Sequence, residues 1–441
     1  MGKRKSLRAE FMEKMRETDI VDAHSHTRTK KSYYENGPYD LFSLNSYFER
    51  DITGLVTGTP YAGCSSDEER WAELKGALDK GRNITYWRHN IATYQKLYGF
   101  PGEDLNDGNW RELNELIKSN SLDKDWYDRV TRKVCRIVTQ VRNIPWFDEW
   151  LTADLVAASD ADILGAAWFT EWEPEYFTGL LRMECALFLH RIPMVEKLSA
   201  FTGVAIDDLS SLEEALYKII DIYAEKGVVG IKLAHAYFRT LESLPEERSD
   251  IERIFATALS GGGATKSRIK SLQDYIIFFL AGVCDERDLL FQIHTGIQHN
   301  WANIADANPL HLTPLLSAFP GVRFDLLHAG IPFIHESAVL GKLFHNTHMN
   351  MAWTYVISMA ASRQALSECI DLVPGHRIVA FGSDVKFPEL ICGHLEMAYS
   401  CVADVLANKV CDDFLSRGEA LSLIDKMFVQ NPTELYRLRR G

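Results

Sequence analysis

Asp19-Ile20-Val21-Asp22-Ala23-His24-Ser25-His26 carries two histidines at the end of a short apolar run. In an extended strand alternate side chains share a face, so His24 and His26 point the same way. Two imidazoles on one face can chelate a metal ion. Such a pair is common by chance when it stands alone. Here three later segments end in the same fashion. Phe291-Gln292-Ile293-His294 and Phe324-Asp325-Leu326-Leu327-His328 close apolar runs in His, and Ile378-Val379-Ala380-Phe381-Gly382-Ser383-Asp384 closes one in Asp. Imidazole and carboxylate together form a transition-metal ligand set. If the four strands are parallel neighbours, their ends converge.

Apolar runs alternate with helix-like segments along most of the chain. Strands are expected at 19–26, 133–140, 179–188, 228–233, 289–296, 322–329, 347–353 and 377–384. Helices are expected after Ser211-Leu-Glu-Glu214, which reads as a capping box, and over about 266–283, 309–318, 332–345, 360–372 and 389–438. Strands alternating with helices predict βα units and a parallel sheet. Eight strands is the number of the (β/α)8 TIM barrel, an α/β fold whose active sites lie at the strand C-terminal ends. Residues 1–441 then form one barrel. The exception is 38–130, rich in Trp, Tyr and charge, with helical patterns near 38–50, 66–80, 84–98 and 109–119. It is expected to be a helical insertion between strands one and two that caps the barrel mouth. Gly261-Gly-Gly263 follows no strand and lacks a GK[ST] ending, so it reads as a loop between helices.

A net charge of −13 argues against a general nucleic-acid binder. It leaves room for a small anionic substrate, since a local Arg/Lys cluster can reverse the field in a pocket. The eight Cys include no CxxC pair, which predicts buried free thiols in a reducing compartment, hence a cytoplasmic protein. No run approaches ~20 apolar residues, so no membrane span is expected. Met1-Gly-Lys-Arg-Lys-Ser6 lacks the apolar core of a signal peptide. Gly2 with Ser6 fits the loose myristoylation pattern, but a frayed basic tail is the plainer expectation.

Other residues could serve the same site. Asp384 can ligate a metal or take a proton from metal-bound water. Lys232 ends Gly230-Ile-Lys232; a buried lysine needs a partner or a lowered pKa, and an ion pair to Glu184 or another acid is the plain reading. Arg182 and Glu184 on strand three read first as a structural ion pair. Arg239, Arg28 and Arg88 could grip an anionic substrate, with surface charge as the alternative. His299 and Trp301 follow His294 on one loop and are expected to line the pocket. His89 reads as a packed helical residue.

Gly230-Ile-Lys-Leu233, His294-Thr-Gly296, Leu327-His-Ala-Gly330, Phe381-Gly-Ser-Asp384 and Asn431-Pro432…Leu435-Tyr436 together resemble the amidohydrolase superfamily of metal-dependent (β/α)8 barrels. The likeness runs over most of the chain. It is nearest the amidohydrolase-related branch, which includes the amidohydrolase-like domain of fungal FluG, its plant nodulin relatives and aromatic-acid decarboxylases. Asp22-Ala-His-Ser-His26 and Tyr86-Trp-Arg-His-Asn90…Leu97-Tyr-Gly-Phe100 are weakly similar to uronate isomerase of the same superfamily.

The resemblance implies one of two site types. In the binuclear type Lys232 is carbamylated and bridges two divalent ions, one held by His24, His26 and Asp384, the other by His294 and His328. In the mononuclear type His24, His26, His294 and Asp384 suffice and His328 polarises the substrate. Zn²⁺ is the expected ion, with Mn²⁺, Ni²⁺ or Fe²⁺ as alternatives. Three functions follow. The first is hydrolysis at a carbonyl-type centre of a small substrate, carboxylated or not, by metal-activated water, with Asp384 and His328 catalytic. The second is uronate-type isomerisation or decarboxylation, with Arg28, Arg88, Arg182 or Arg239 facing the substrate carboxylate. The third is a non-catalytic metal-binding scaffold. The partners expected are a small-molecule substrate and a second copy of the chain, with neither nucleic acid nor membrane.

Overall fold

A computed structural model of the chain describes residues 2–45, 48, 60–148, 151–152, 154–170, 172–298 and 303–438. Eight strands are present: β1 (Ile20–Ser25), β2 (Ile137–Ile144), β3 (Phe177–Arg182), β4 (Val228–Leu233), β5 (Leu290–Ile293), β6 (Arg323–Leu326), β7 (Thr347–Asn350) and β8 (Ile378–Val379). They form one sheet in sequential order, β1 to β8. The pairs from β3 to β7 are parallel. The segment after β8 returns to β1, where Ala23 N–H donates to Phe381 O and Asp384 N–H donates to His24 O. Sequential parallel order with the last strand back on the first defines the (β/α)8 barrel.

The strands form where apolar, β-branched runs can be buried on both faces. β4 and β5 are buried along almost their whole length. Gly230 is required where they meet, because a Cβ there would lie 2.4 Å from Leu290 O. Helices fill the connections, among them Leu209–Glu225, Lys266–Arg287, Ile334–Leu343 and Met359–Leu372. The 261–263 glycines fall between the Arg248–Leu259 and Lys266–Arg287 helices. Three helices of the insertion, Asp67–Gly81, Thr85–Tyr98 and Trp110–Ser121, lie between β1 and β2.

Some expected elements need correction. β2 starts four residues later than expected, because Arg129–Val134 is wound as a π-helix with Val130 and Thr131 buried. Glu184 is off β3, in a 3₁₀ turn over Glu184–Phe188. The helix cap near 211 is Asp208, with Ser211 as its reciprocal partner. The basic N-terminus is not frayed: Gly2–Glu17 is helical and buries Leu7, Phe11, Met12 and Met15, while Arg8 pairs with Asp404 at 2.8 Å.

The chain divides into two compact units. The first is residues 1–140, 351–370 and 379–431; the second is 141–350, 371–378 and 432–441. The first has an aromatic interior that includes Tyr33, Trp87, Tyr94, Trp110 and Tyr127. The second packs around Leu181, Leu216, Ile231, Ile276, Phe291 and Leu326. Pro388–Cys411, in the first unit, is long and apolar enough to cross a membrane, but 78% of that stretch is buried, as in a core helix.

Candidate metal centre

In the first unit β1 and the segment after β8 place His24, His26 and Asp384 together. Their ligand atoms all lie within 4.8 Å of one another. Asp384 Oδ1 is 3.6 Å from His24 Nε2 and 3.5 Å from His26 Nε2. Ligands about 2.05 Å from a tetrahedral ion stand ~3.4 Å apart, so the separations suit a shared cation. The two rings are nearly perpendicular, at 87°. His24 is buried, whereas the His26 side chain keeps 25% of its surface. Donor chemistry and spacing both fit a divalent ion.

Asp384 is held in a left-handed backbone conformation, φ 51°. Such a conformation is uncommon outside glycine and persists only when its surroundings fix it. Five hydrogen bonds do so. Asp384 N–H donates to His24 O at 2.9 Å, and Trp353 N–H donates to Gly382 O at 3.0 Å. Asp22 accepts from the Ser383 N–H and hydroxyl at 2.7 and 2.6 Å. His394 Nδ1–H donates to Ser383 O at 2.9 Å. Burial pushes the Asp22 carboxyl up to about 7, against the hydrogen bonds from Ser383. Gly382 permits the close approach, since a Cβ there would be 2.6 Å from the Ala352 Cβ and 3.0 Å from the His24 Cβ.

Beyond His26 the alternation continues. The Ser25 and Thr27 hydroxyls bond each other at 2.6 Å, and Ser25 donates to Gln140 Oε1. That pairing puts Ser25 and Thr27 on one face and His24, His26 and Arg28 on the other. Arg28 N–H donates to Lys386 O, two residues past Asp384. The guanidinium lies 5.8 Å from the Tyr39 ring centre and 5.7 Å from that of Phe387. Its Nε is buried without a hydrogen-bond partner. Among the described residues no acid pairs with it. Tyr86, from the insertion, accepts from the indole N–H of Trp353. Sequence reasoning gave no role to Asp22, which lies in the segment quoted for His24 and His26, or to Trp353, the last residue of the expected seventh strand.

The second unit holds the other candidates. His328 Nε2 is 3.0 Å from His294 Nδ1, and His294 Nε2 is 2.6 Å from Ile297 O. A carbonyl accepts only, so His294 carries its proton on Nε2 and turns the Nδ1 lone pair toward His328. His328 also has positive φ, 68°. Lys232 is buried in β4, with its charge acting on the buried Asp325. Burial pushes the Asp325 carboxyl up; hydrogen bonds from Tyr436, Gln292 and Asn350, and the Lys232 charge, pull it back. Of the acids open to Lys232, Glu184 pairs with Arg182 at 3.2 Å and accepts from Ala234 N–H at 2.7 Å.

The arginine candidates separate clearly. Arg182 forms the anticipated ion pair. Arg239 is buried against Asp274 at 2.5 Å, so it is an internal ion pair and not the surface charge that was one of its two expected readings. Arg88 is exposed and bonded to Asp104. Arg28 alone of the four lacks a described acid. His89 is buried in its helix, 2.7 Å from Leu390 O. His299 and Trp301 lie outside the described residues.

A sequential parallel barrel with a His–His–Asp cluster at β1 and the β8 end defines the class of metal-dependent barrel enzymes. The amidohydrolase family model matches residues 199–438, more than half of the chain. The chain belongs to that amidohydrolase family. It is 27% identical to the protein fluG of Emericella nidulans over 236 residues, covering 50% of this chain and 27% of fluG. It is 23% identical to the uronate isomerase of Lachnospira eligens over 293 residues, covering 63% of this chain and 58% of that one. The matched part therefore spans less than two thirds of either relative. In three dimensions it resembles the glucuronate isomerase of Caulobacter crescentus, with TM-score 0.80, 16% identity, and coverage of 99% of this chain and 95% of the other.

Proposed function

We propose that this protein is a metal-dependent aldose–ketose isomerase acting on a small carboxylated sugar of the uronate type. The observation that carries the proposal is Arg28. A guanidinium with no described acid partner sits on the same face of the same segment as His24 and His26. A carboxylate on the substrate supplies the missing anion, and Arg binds carboxylates in bidentate fashion. The likeness to uronate and glucuronate isomerases supports the same substrate class.

His24, His26 and Asp384 would hold the ion. A bound divalent ion polarises the substrate's carbonyl and hydroxyl oxygens. Isomerisation moves one proton from C2 to C1 and one between the oxygens, with no net change in composition. The Asp384 carboxylate is the group in the cluster able to accept the C2 proton and return it to C1. Arg28 fixes the far end of the sugar. Tyr86 steadies Trp353, whose backbone is tied to the loop that positions Asp384. The insertion would cap the barrel mouth, and the enzyme would be cytoplasmic. Zn²⁺ is the ion of first choice, with Mn²⁺ next.

Hydrolysis is the second reading, favoured by the family match over residues 199–438. Proton NMR in D2O with the metal-loaded protein separates the two. Deuterium entering a uronate at C1 or C2, with ketose formed, is the expected result. Turnover of lactones, esters or amides with no exchange into any uronate would replace isomerisation by hydrolysis.

A further inference from the structure

Cys135 and Cys392 are 257 residues apart in sequence, yet their Sγ atoms are 2.6 Å apart and both are buried. Cys135 stands between the Arg129–Val134 π-helix and β2, and Cys392 is in the first turns of Pro388–Cys411. Both belong to the first unit. A disulfide requires ~2.05 Å between sulfurs, so closure needs a shift of only about 0.6 Å. The pair is not sealed from solvent. It forms part of the wall of a cavity of about 40 Å³ together with Arg16, Lys96, Glu396 and Tyr399. Arg16 and Lys96 both bond Glu396, leaving one excess positive charge at the opening. The volume suits a water-sized oxidant and is too small for a peptide disulfide.

We propose that Cys135 and Cys392 are an oxidation site that a small peroxide converts to an intramolecular disulfide. One thiolate attacks a peroxide oxygen. The O–O bond breaks, water leaves and a sulfenic acid forms. The second sulfur attacks the sulfenic sulfur, the S–O bond breaks and a second water leaves. Two thiols and hydrogen peroxide thus give one disulfide and two waters. Burial keeps the Cys392 thiol protonated, so the reaction is slow, and the bond once formed is sheltered from reductant. The crosslink would fasten Pro388–Cys411 to the segment entering β2. That helix also supplies His394, which holds Ser383.

The full-length protein is treated with hydrogen peroxide, blocked with an alkylating reagent under denaturing conditions, and mapped by mass spectrometry. Two of the eight thiols should resist alkylation, a single peptide pair should join Cys135 to Cys392, and dithiothreitol should restore both. Oxidation should also raise Tm by several degrees in the wild type and leave Cys135→Ala unchanged. Alkylation of all eight thiols, a crosslink between other cysteines, or sulfinic acid at either residue without the crosslink would overturn the proposal. The mapping on wild-type protein decides the matter even if Cys135→Ala does not fold.

Discussion

The two units handle buried charge differently. In the second, several buried ionisable groups are matched internally: Arg239 with Asp274, Arg182 with Glu184, Asp325 with Tyr436, Gln292 and Asn350, and His294 with His328, while His235 is buried with neither ring nitrogen hydrogen-bonded. In the first, two imidazoles and a carboxylate surround one point at ligand spacing, and Arg28 has no described acid. Strand ends in both units carry His, Arg or Asp, so position in a barrel does not by itself distinguish a binding group from a structural one. What surrounds the group decides. Internal matching serves stability, and an unmatched cation beside a ligand set is, under the proposed function, the place for an anionic ligand.

The largest effect should come from unmatching a charge in the second unit. Asp274 is almost fully buried, accepting from Arg239 and from Lys270 at 2.6 Å. Asp274→Asn leaves the Arg239 charge uncompensated and should cost about 3–5 kcal/mol in urea unfolding. A loss below ~1 kcal/mol would mean that the pair is not the structural group described.

Acid should weaken both units alike. Burial pushes His89 in the first unit and His348 in the second each down to about 4. Below pH ~6.5 the unfolded chain takes up protons that the folded chain refuses, so stability is full above that pH and falls toward pH 4. Each residue is worth about 3 kcal/mol at the low end. Hydrogen exchange at pH 7 and pH 5 should show protection falling in both units; unchanged protection in either would break the symmetry.

Changes in the first unit's site should spare the fold. Asp384→Asn should keep the circular dichroism spectrum and lower kcat by at least ~100-fold, the ordinary worth of a positioned proton-transfer group. Near-normal turnover would remove Asp384 from the chemistry. The smallest effect is expected at Arg28. Arg28→Met should raise KM for a carboxylated sugar by ~10-fold or more, about 1.4 kcal/mol, and leave that of a neutral analogue unaltered. An equal rise for both would make Arg28 a packing residue.

Most of the barrel was legible in the sequence because apolar runs and their terminal His or Asp carry a local signature. β2 was placed four residues early because Val134 and Cys135 extend the apolar run of Ile137 and Val138 backwards, and only tertiary packing winds Arg129–Val134 into a π-helix. The N-terminal helix had a readable signal in Leu7, Phe11, Met12 and Met15, hidden by its basic composition. The partners of Arg239 and Cys135 were out of reach. Arg239 lies in a loop 35 residues before Asp274 of the Lys266–Arg287 helix, and Cys392 is 257 from Cys135, and nothing local encodes such pairings. The clustering of His24, His26 and Asp384 was readable from the HxH spacing and the Gly382-Ser-Asp384 ending. Asp22 and His394, which shape the loop, both act on Ser383, Asp22 through its N–H and hydroxyl and His394 through its carbonyl, and such distant pairings leave no motif.

The most direct test is the metal content of protein purified without chelator, measured by elemental analysis for wild type, His26→Ala and Asp274→Asn. The account predicts at least about one divalent ion per chain in the wild type, loss of that ion in His26→Ala, and retention in folded Asp274→Asn. Wild-type metal content in His26→Ala, or no uptake of Zn²⁺ or Mn²⁺ by the wild type, would contradict the assignment of the centre to His24, His26 and Asp384.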